Sequence, residues 1–163
     1  MTSFHPEGVL MDTPENRGNR KSLITLQDSL ANDKILEARA VVCDGDHNLI
    51  VDLGCIRGVI PREEGALGIR EGITRDIAII SRVNKPVCFK VMGFAKDKDG
   101  KPCAVLSRKA AQQQCMEEYI RRLSPGDVIP AKVTHFEPFG CFVDIGCGIP
   151  SLIPIDAISV SRI

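Results

Sequence analysis

Two phenylalanines, Phe139 and Phe142, have the type and spacing of side chains that could stack nucleic-acid bases. Val143 and Ile145 alternate along the chain with Phe142 and Asp144. A strand that points Val143 and Ile145 inward therefore points Phe142 to solvent. Phe139 precedes Gly140, whose backbone freedom lets the ring reach the same surface. Two rings on one surface stack two bases at about 1–3 kcal/mol per base and need no sequence-specific hydrogen bonds. The alternative is that both rings simply belong to a core.

Other side chains near the rings are candidates for further nucleic-acid contacts. His135 and Phe136 lie in the same hairpin. Asp144, which follows the same alternation as Phe142, is expected to face solvent. Basic residues of the preceding helical region and of the segment before it could neutralise phosphates, although a solvated surface explains each of them equally well. They are Arg108, Lys109, Arg121 and Arg122 in the helical region, and Lys85, Lys90, Lys96, Lys98 and Lys101 before it.

The charge of the chain gives no general argument for a polyanionic partner. The 21 basic and 21 acidic residues cancel. Locally, residues 107 to 123 carry a net charge of +2 and residues 124 to 163 a net charge of −2. The basic excess therefore lies beside the rings and not among them.

Catalytic and metal chemistry is not predicted. The three histidines are scattered along the chain, which does not suggest a triad. Cys141 and Cys147 lack the short spacing of a zinc knuckle, and there is no glycine-rich phosphate loop. We expect a protein that is not an enzyme and that needs no metal or cofactor.

The cysteine pattern and the short apolar runs are typical of a protein of the reducing cytoplasm. The seven cysteines include no Cys-x-x-Cys pair, and their odd number leaves one thiol unpaired in any full disulfide scheme. No apolar run approaches the roughly 18 residues of a membrane-spanning helix, and the N-terminus lacks the pattern of a signal peptide. We therefore expect a cytoplasmic protein with reduced thiols and no membrane contact.

A repeated segment underlies the fold prediction. With an offset of 92 residues, the run VDLGC at 51–55 aligns with VDIGC at 143–147, and one inserted residue then aligns Ile60-Pro61 with Ile153-Pro154. In the first copy, His47 takes the place of Phe139 and Ile50 the place of Phe142. A stacking surface is therefore expected only in the second copy.

Both copies are predicted to be strands. Runs at 36–43, 48–53 and 56–60 form a meander, and 86–95 and 102–107 add two strands, which gives a five-stranded barrel over residues 34–107. Residues 75–81 fit either a short strand or a helical turn. The second domain, residues 125–163, has only the first three strands, so its third strand would lack a partner and we expect the natural protein to continue past Ile163.

The remaining segments are predicted to connect or pack on the barrels. Residues 1–21 read as a flexible leader, and Ser22 caps a short helix over 22–33 that packs on the first barrel. Residues 108–124 read as a linker helix, with Met116, Tyr119, Ile120 and Leu123 on its apolar face and Gln112 to Gln114 on its polar face. The expected fold class is all-β: tandem five-stranded oligonucleotide-binding barrels, the first complete and degenerate, the second truncated, joined by an α-helix.

The run FEPFGCFVDIGCGIPSLIP, preceded by GDVIPAKV, resembles the start of the S-one RNA-binding domain. The first copy is similar through IVDLGCIRGVIP and KVMGFAKDKDGKPCAVLSRKA, so the resemblance covers about residues 34–163. It implies that Phe139 and Phe142 match the family's two base-stacking rings and that Lys132 contacts a phosphate. Pro154 stands where many members have a histidine, which implies weaker or differently shaped binding.

The resemblance implies a binding protein for single-stranded RNA, in particular messenger RNA during translation, with the small ribosomal subunit as a further partner. The alternative is a protein-docking module on the ribosome or the RNA-decay machinery, since the first copy lacks the rings. An accessory domain of a nuclease or polymerase would require a catalytic region outside this sequence. The oligomeric state is not predicted.

Overall fold

Five strands between residues 35 and 107 close into a barrel. The computed structural model describes residues 4 to 158. The strands are β1 (Ile35–Cys43), β2 (Leu49–Asp52), β3 (Arg57–Ile60), β4 (Pro86–Lys96) and β5 (Pro102–Ser107), in the spatial order β1-β2-β3-β5-β4. β1 pairs with β4 to close the barrel, and only the β3–β5 pair is parallel. This architecture is consistent with the oligonucleotide-binding fold that we expected.

The barrel interior follows from strict alternation along short strands. In β2, Leu49 and Val51 are fully buried while Ile50 and Asp52 face outward. Gly58 of β3 leaves room for the core, because a Cβ there would lie 2.5 Å from Cδ1 of Leu106. Bulges in β1 and β4 bend these strands so that the sheet can close. Aliphatic side chains and one ring fill the interior: Leu36, Leu49, Val51, Ile60, Val87, Phe89 and Leu106.

The second copy of the repeat forms a separate antiparallel sheet. Its strands are β6 (Lys132–Glu137), β7 (Gly140–Asp144) and β8 (Pro150–Pro154), in the order β6-β7-β8. The meander predicted from the repeat is therefore present in both copies. In the part of the chain that the structure describes, this sheet has three strands and the first has five.

Five short helices accompany the sheets: α1 (Pro14–Asn19), α2 (Leu23–Ala31), α3 (Ile77–Ile80), α4 (Arg108–Glu118) and α5 (Ile155–Ile158). Ser22 and Thr25 form a reciprocal cap on α2, whose Leu26 enters the barrel core as predicted. The segment over 75–81 contains α3, a helical turn rather than a strand. None of the helices within residues 4 to 158 combines the length and the apolar character needed to cross a membrane.

The linker helix differs in part from the prediction. α4 begins after its cap Ser107 and ends at Glu118, and a 3₁₀ turn covers Ile120–Arg122. Its buried side carries Ala111, Cys115 and also Gln112, which we expected on the polar face. The amide of Gln112 is satisfied there, since it accepts from Leu67 N at 2.9 Å and donates to Cys147 O at 3.1 Å.

The structure also differs from the flexible leader expected at residues 1–21. In the described part, 4–21, Asn16 is buried and its side chain exchanges two 2.8 Å hydrogen bonds with the backbone of Glu37 in β1. The ring of Phe4 stacks on Tyr119 with centroids 5.9 Å apart. Polar composition suggested disorder, but these polar groups find partners on elements distant in sequence.

Candidate nucleic-acid interface

The register of the second sheet places three rings on one face. His135 of β6 lies opposite Phe142 of β7, which lies opposite Leu152 of β8, so the three side chains share a face. Centroids of Phe142 and His135 are 6.1 Å apart with planes inclined by 31°. Those of Phe139 and Phe142 are 6.2 Å apart with planes at 89°. We call His135, Phe139 and Phe142 the ring surface.

The ring surface is open to solvent. Phe139 is 54% exposed, His135 is exposed and Phe142 is half-buried, whereas Val143 on the opposite side of β7 is only 3% exposed. The alternation argument is thus correct for Phe142, and the two phenylalanines do not belong to a core. Because the two phenylalanine planes are perpendicular, bases stacked on both would have to turn relative to each other.

Backbone contacts fix the hairpin that carries the rings. A Cβ at Gly140 would lie 2.2 Å from the carbonyl oxygen of Ile153, so only glycine permits this approach of β7 to β8. Ile155 N donates to Phe139 O at 2.9 Å, which anchors the turn residue. The carboxylate of Glu137 lies 2.5 Å from Nε2 of His135 and fixes the imidazole.

Phe136 does not join the ring surface. It lies opposite Cys141, which is 5% exposed on the same side of β7 as Val143, whereas Phe136 itself is 74% exposed. The sequence predicts RNA contacts for both His135 and Phe136, but only His135 shares the ring surface, because neighbouring residues of a strand face opposite sides. A bulge between Val133 and His135 decides which of the two shares the side of Phe142.

Most of the predicted phosphate contacts are accessible, but Lys90 and Arg108 are not. Lys90 is 8% exposed, and its ammonium donates to Asp33 at 2.9 Å. Lys132, Arg121 and Arg122 are exposed and Lys109 is half-exposed. Arg108 is only 4% exposed. Its guanidinium donates to Glu7 at 2.6 and 2.9 Å and to Gly65 O at 3.1 Å. The predicted phosphate contact of Arg108 is thus contradicted, because all three nitrogens already have partners inside the protein.

Glu7 is the centre of a buried charge cluster that the sequence did not reveal. Burial opposes its ionisation, but the charge and hydrogen bonds of Arg108, helped by Arg82 at 3.5 Å, outweigh it and lower the pKa of Glu7 to about 2. Glu7 also accepts from Cys88 N at 2.8 Å. The same interactions keep the pKa of Arg108 above its usual range, against the effect of burial.

Residues 4–8, the N-terminal strap, join this cluster to the second sheet. Glu7 N donates to Asp144 at 2.8 Å, and Cys147 N donates to the carbonyl of His5 at 2.9 Å. Asp144 also accepts from Gly146 N and Gly148 N at 2.8 and 3.0 Å. Asp144 is therefore 5% exposed and not the solvent-facing residue that alternation predicted, and its burial raises its pKa.

The thiols and the other metal-ligating side chains of residues 4 to 158 form no metal site. All seven cysteines are free, and three of them, Cys88, Cys115 and Cys147, meet in the small core beneath the strap. Burial raises the pKa of Cys88 to about 11. Among residues 4 to 158, no group of three or more His, Cys, Asp or Glu side chains is arranged to hold a metal ion.

The equivalent surface of the first barrel carries different side chains. His47, at the position of Phe139, bonds to Asp76, which also accepts from Arg62 at 2.7 and 2.8 Å. Ile50, at the position of Phe142, lies in a cross-strand row of outward-facing aliphatic residues, Val42, Ile50, Val59 and Val105. We call these four side chains the aliphatic row.

Comparison with known proteins places this arrangement in a family. No protein-family model matches the chain. The chain is 32% identical to small ribosomal subunit protein bS1 of Staphylococcus aureus (strain COL) over 145 residues, which are 85% of this chain and 34% of that protein. It is also 32% identical to the bS1 protein of Staphylococcus haemolyticus (strain JCSC1435) over 158 residues, which are 93% of this chain and 37% of that protein. The chain thus spans about a third of the length of these relatives. It is homologous to ribosomal protein bS1 over most of its length, and the resemblance to the S-one family that its motifs indicate is confirmed.

Proposed function

We propose that this chain is a non-enzymatic protein that binds single-stranded RNA through the ring surface. The observation that carries the proposal is the exposed cluster of Phe139, Phe142 and His135 on one face of a sheet whose opposite face is apolar. Exposed rings at stacking distance have no role in packing this sheet, and they suit bases whatever their sequence. Lys132 lies on the same face and is exposed, which supports the proposal that it contacts a phosphate.

The homology supports a setting for this activity. The relatives carry the name of a small ribosomal subunit protein. We propose that the RNA is messenger RNA, that binding serves translation in the cytoplasm, and that the small ribosomal subunit is a partner. We also propose that the two copies are tandem oligonucleotide-binding units, of which only the second carries the ring surface.

A pair of matched variants tests RNA binding. Fluorescence anisotropy with labelled oligouridine should show that Phe139→Ala combined with Phe142→Ala weakens affinity about 30-fold or more, since each stacked base contributes about 1–3 kcal/mol. Phe136→Ala removes a ring of the same type that is more exposed but lies on the other face. It should leave affinity unchanged. Equal losses from the double variant and from Phe136→Ala, or no loss from the double variant, would refute the proposal.

The aliphatic row favours a second function for the first barrel, namely docking of a protein. Val42 is 51% exposed, and Ile50, Val59 and Val105 are half-buried on an outer barrel face that is ordinarily polar. Small ribosomal subunits should co-sediment with the chain in excess oligouridine, and Ile50→Lys with Val59→Lys should abolish this. If the double lysine variant still co-sediments with the subunits and the double phenylalanine variant does not, the ring surface makes the ribosome contact instead.

A further inference from the structure

A cleft of about 630 Å³ lies between the second sheet and the first barrel. Thr134 and His135 line one wall, Arg82 and Lys85 line the other, and Gln112 of α4 is also part of the lining. The volume falls in the range of roughly 300–1,000 Å³ that is typical of ligand sites. The cleft is therefore large enough to receive part of a polymer bound nearby.

His135 connects this cleft with the ring surface. Its ring centroid lies 6.1 Å from that of Phe142, and the residue also lines the cleft. Phe139 lies in the turn at one end of the hairpin, whereas the cleft lies at the opposite end, where Asp144 contacts the N-terminal strap. His135 therefore borders both the ring surface and the cleft, and the cleft also reaches Val143 on the other side of β7.

The charges beside the cleft favour a polyanion. Its two carboxylates are already satisfied: Glu7 is shared by Arg108 and Arg82, and Asp144 accepts three backbone N–H bonds. Lys85, by contrast, is exposed and forms no ion pair with any residue from 4 to 158.

Lys132 is a second unpaired cation near this end of the sheet. It forms no ion pair within the described residues, and its ammonium lies beside the first barrel. A Cβ built on Gly8 would lie 3.6 Å from Nζ of Lys132 and 3.6 Å from Cγ of Pro86, the residue that follows Lys85. Lys85 and Lys132 thus both lie near the start of β4, where the second sheet meets the first barrel.

We infer that a single RNA strand on the ring surface continues past His135 into this cleft, where Lys85 contacts its phosphates, and that Lys132 contacts the strand at the border between sheet and barrel. The inference rests on the proposed function and extends it: the first barrel, although it lacks the rings, supplies part of the RNA site. The site is then longer than the two or three bases that the rings can stack.

Oligonucleotide length separates the two parts of the site. The full chain and its variants are titrated with fluorescein-labelled oligouridines of about 3 and about 10 nucleotides, lengths chosen to cover the rings alone or the rings and the cleft. Lys85→Ala should weaken binding of the long oligomer about threefold to tenfold. It should also reduce the slope of log K against log salt by about 0.7, the value for one phosphate contact in a single strand. Binding of the short oligomer should not change.

Lys98→Ala is the matched control. It removes the same charge from an exposed position in the turn after β4, at the other end of the strand that begins beside the cleft. Both oligomers should bind this variant as they bind the parent chain. If Lys85→Ala and Lys98→Ala behave alike with the long oligomer, the strand bypasses the cleft and the inference is overturned, even when the double phenylalanine variant still loses affinity. If that double variant loses nothing, the proposed function fails and the inference fails with it.

A cross-linking measurement gives an independent readout. A long oligouridine with 4-thiouridine at one end or the other should cross-link to residues 77–86 from one end only. Cross-links confined to the second sheet from both ends would contradict a path through the cleft.

Discussion

The two copies of the repeat fold into the same hairpin but use equivalent residues differently. Asp52 in the first copy is exposed and accepts one hydrogen bond, from Gly54 N at 2.8 Å. Asp144 in the second copy accepts the equivalent hydrogen bond from Gly146 N and also accepts one from Glu7 N. Cys55 is likewise exposed, whereas Cys147 is buried. The repeat therefore determines the turn, and the N-terminal strap determines which copy becomes buried there.

The outward positions differ in the opposite sense. The second copy exposes rings where the first has Ile50 in the aliphatic row and His47 bonded to Asp76. A barrel that closes on itself can present aliphatic side chains outward for a protein partner, whereas flat ring faces suit bases. One segment thus supports two kinds of recognition through a few side-chain changes.

The largest expected effect tests the charge cluster that holds the second copy against the first. Arg108→Ala leaves the carboxylate of Glu7 buried with only Arg82 nearby, which should lower the free energy of unfolding by about 3–5 kcal/mol. Urea denaturation measures it. The adjacent Lys109→Ala should change stability by less than about 0.5 kcal/mol. Equal small effects would mean that the cluster does not hold the two halves together.

A smaller effect compares the two aspartates directly. Asp144→Ala removes the acceptor for three backbone N–H groups in a buried position, whereas Asp52→Ala removes the acceptor for one exposed group. We expect a loss of about 2–3 kcal/mol for the first and about 0.5–1 kcal/mol for the second, because unsatisfied groups cost most away from water. Thermal and urea unfolding of both variants measure the difference. Similar losses would show that the strap contact adds nothing to the turn.

The last comparison concerns pH. Burial raises the pKa of Glu37 to about 7 from its ordinary 4.5, although Gly8 N and Leu10 N donate to it. The native state therefore keeps a proton that the unfolded chain loses, so stability falls as the pH rises from about 4.5 through about 7. Glu7 acts in the opposite direction: its contribution is present above about 4.5 and is lost as the pH falls towards 2.

Glu37→Gln isolates the Glu37 contribution. The amide keeps an acceptor for Gly8 N and cannot ionise, so the variant should be more stable than the parent by about 3 kcal/mol at pH 8 and indistinguishable at pH 4. Urea midpoints at both pH values measure this. A parent chain whose stability does not fall between pH 5 and pH 8 would contradict the assignment of the pKa shift to Glu37.

Local sequence pattern was enough to predict the strands and the solvent-facing positions of Phe139 and Phe142. Alternation in β2 and β7 separates inward from outward side chains, and the repeat carries the same assignment from one copy to the other. Pattern failed at Phe136 because a bulge shifts the register in β6. It failed at Asp144, Gln112 and Arg108 because their partners are distant in sequence and leave no periodic signal.

The N-terminal strap sets an order of events during synthesis. Arg108, which binds the carboxylate of Glu7, follows Glu7 in the sequence by 101 residues. Asp144, which accepts from Glu7 N, follows Glu7 by 137 residues. At about 5–20 residues per second, the ribosome needs roughly 5–20 s after Glu7 to reach Arg108 and longer to reach Asp144. The first described segment to leave the ribosome is therefore among the last to be fixed. All five barrel strands are synthesised before Asp144, so the barrel can form before the strap makes its contact with the second sheet.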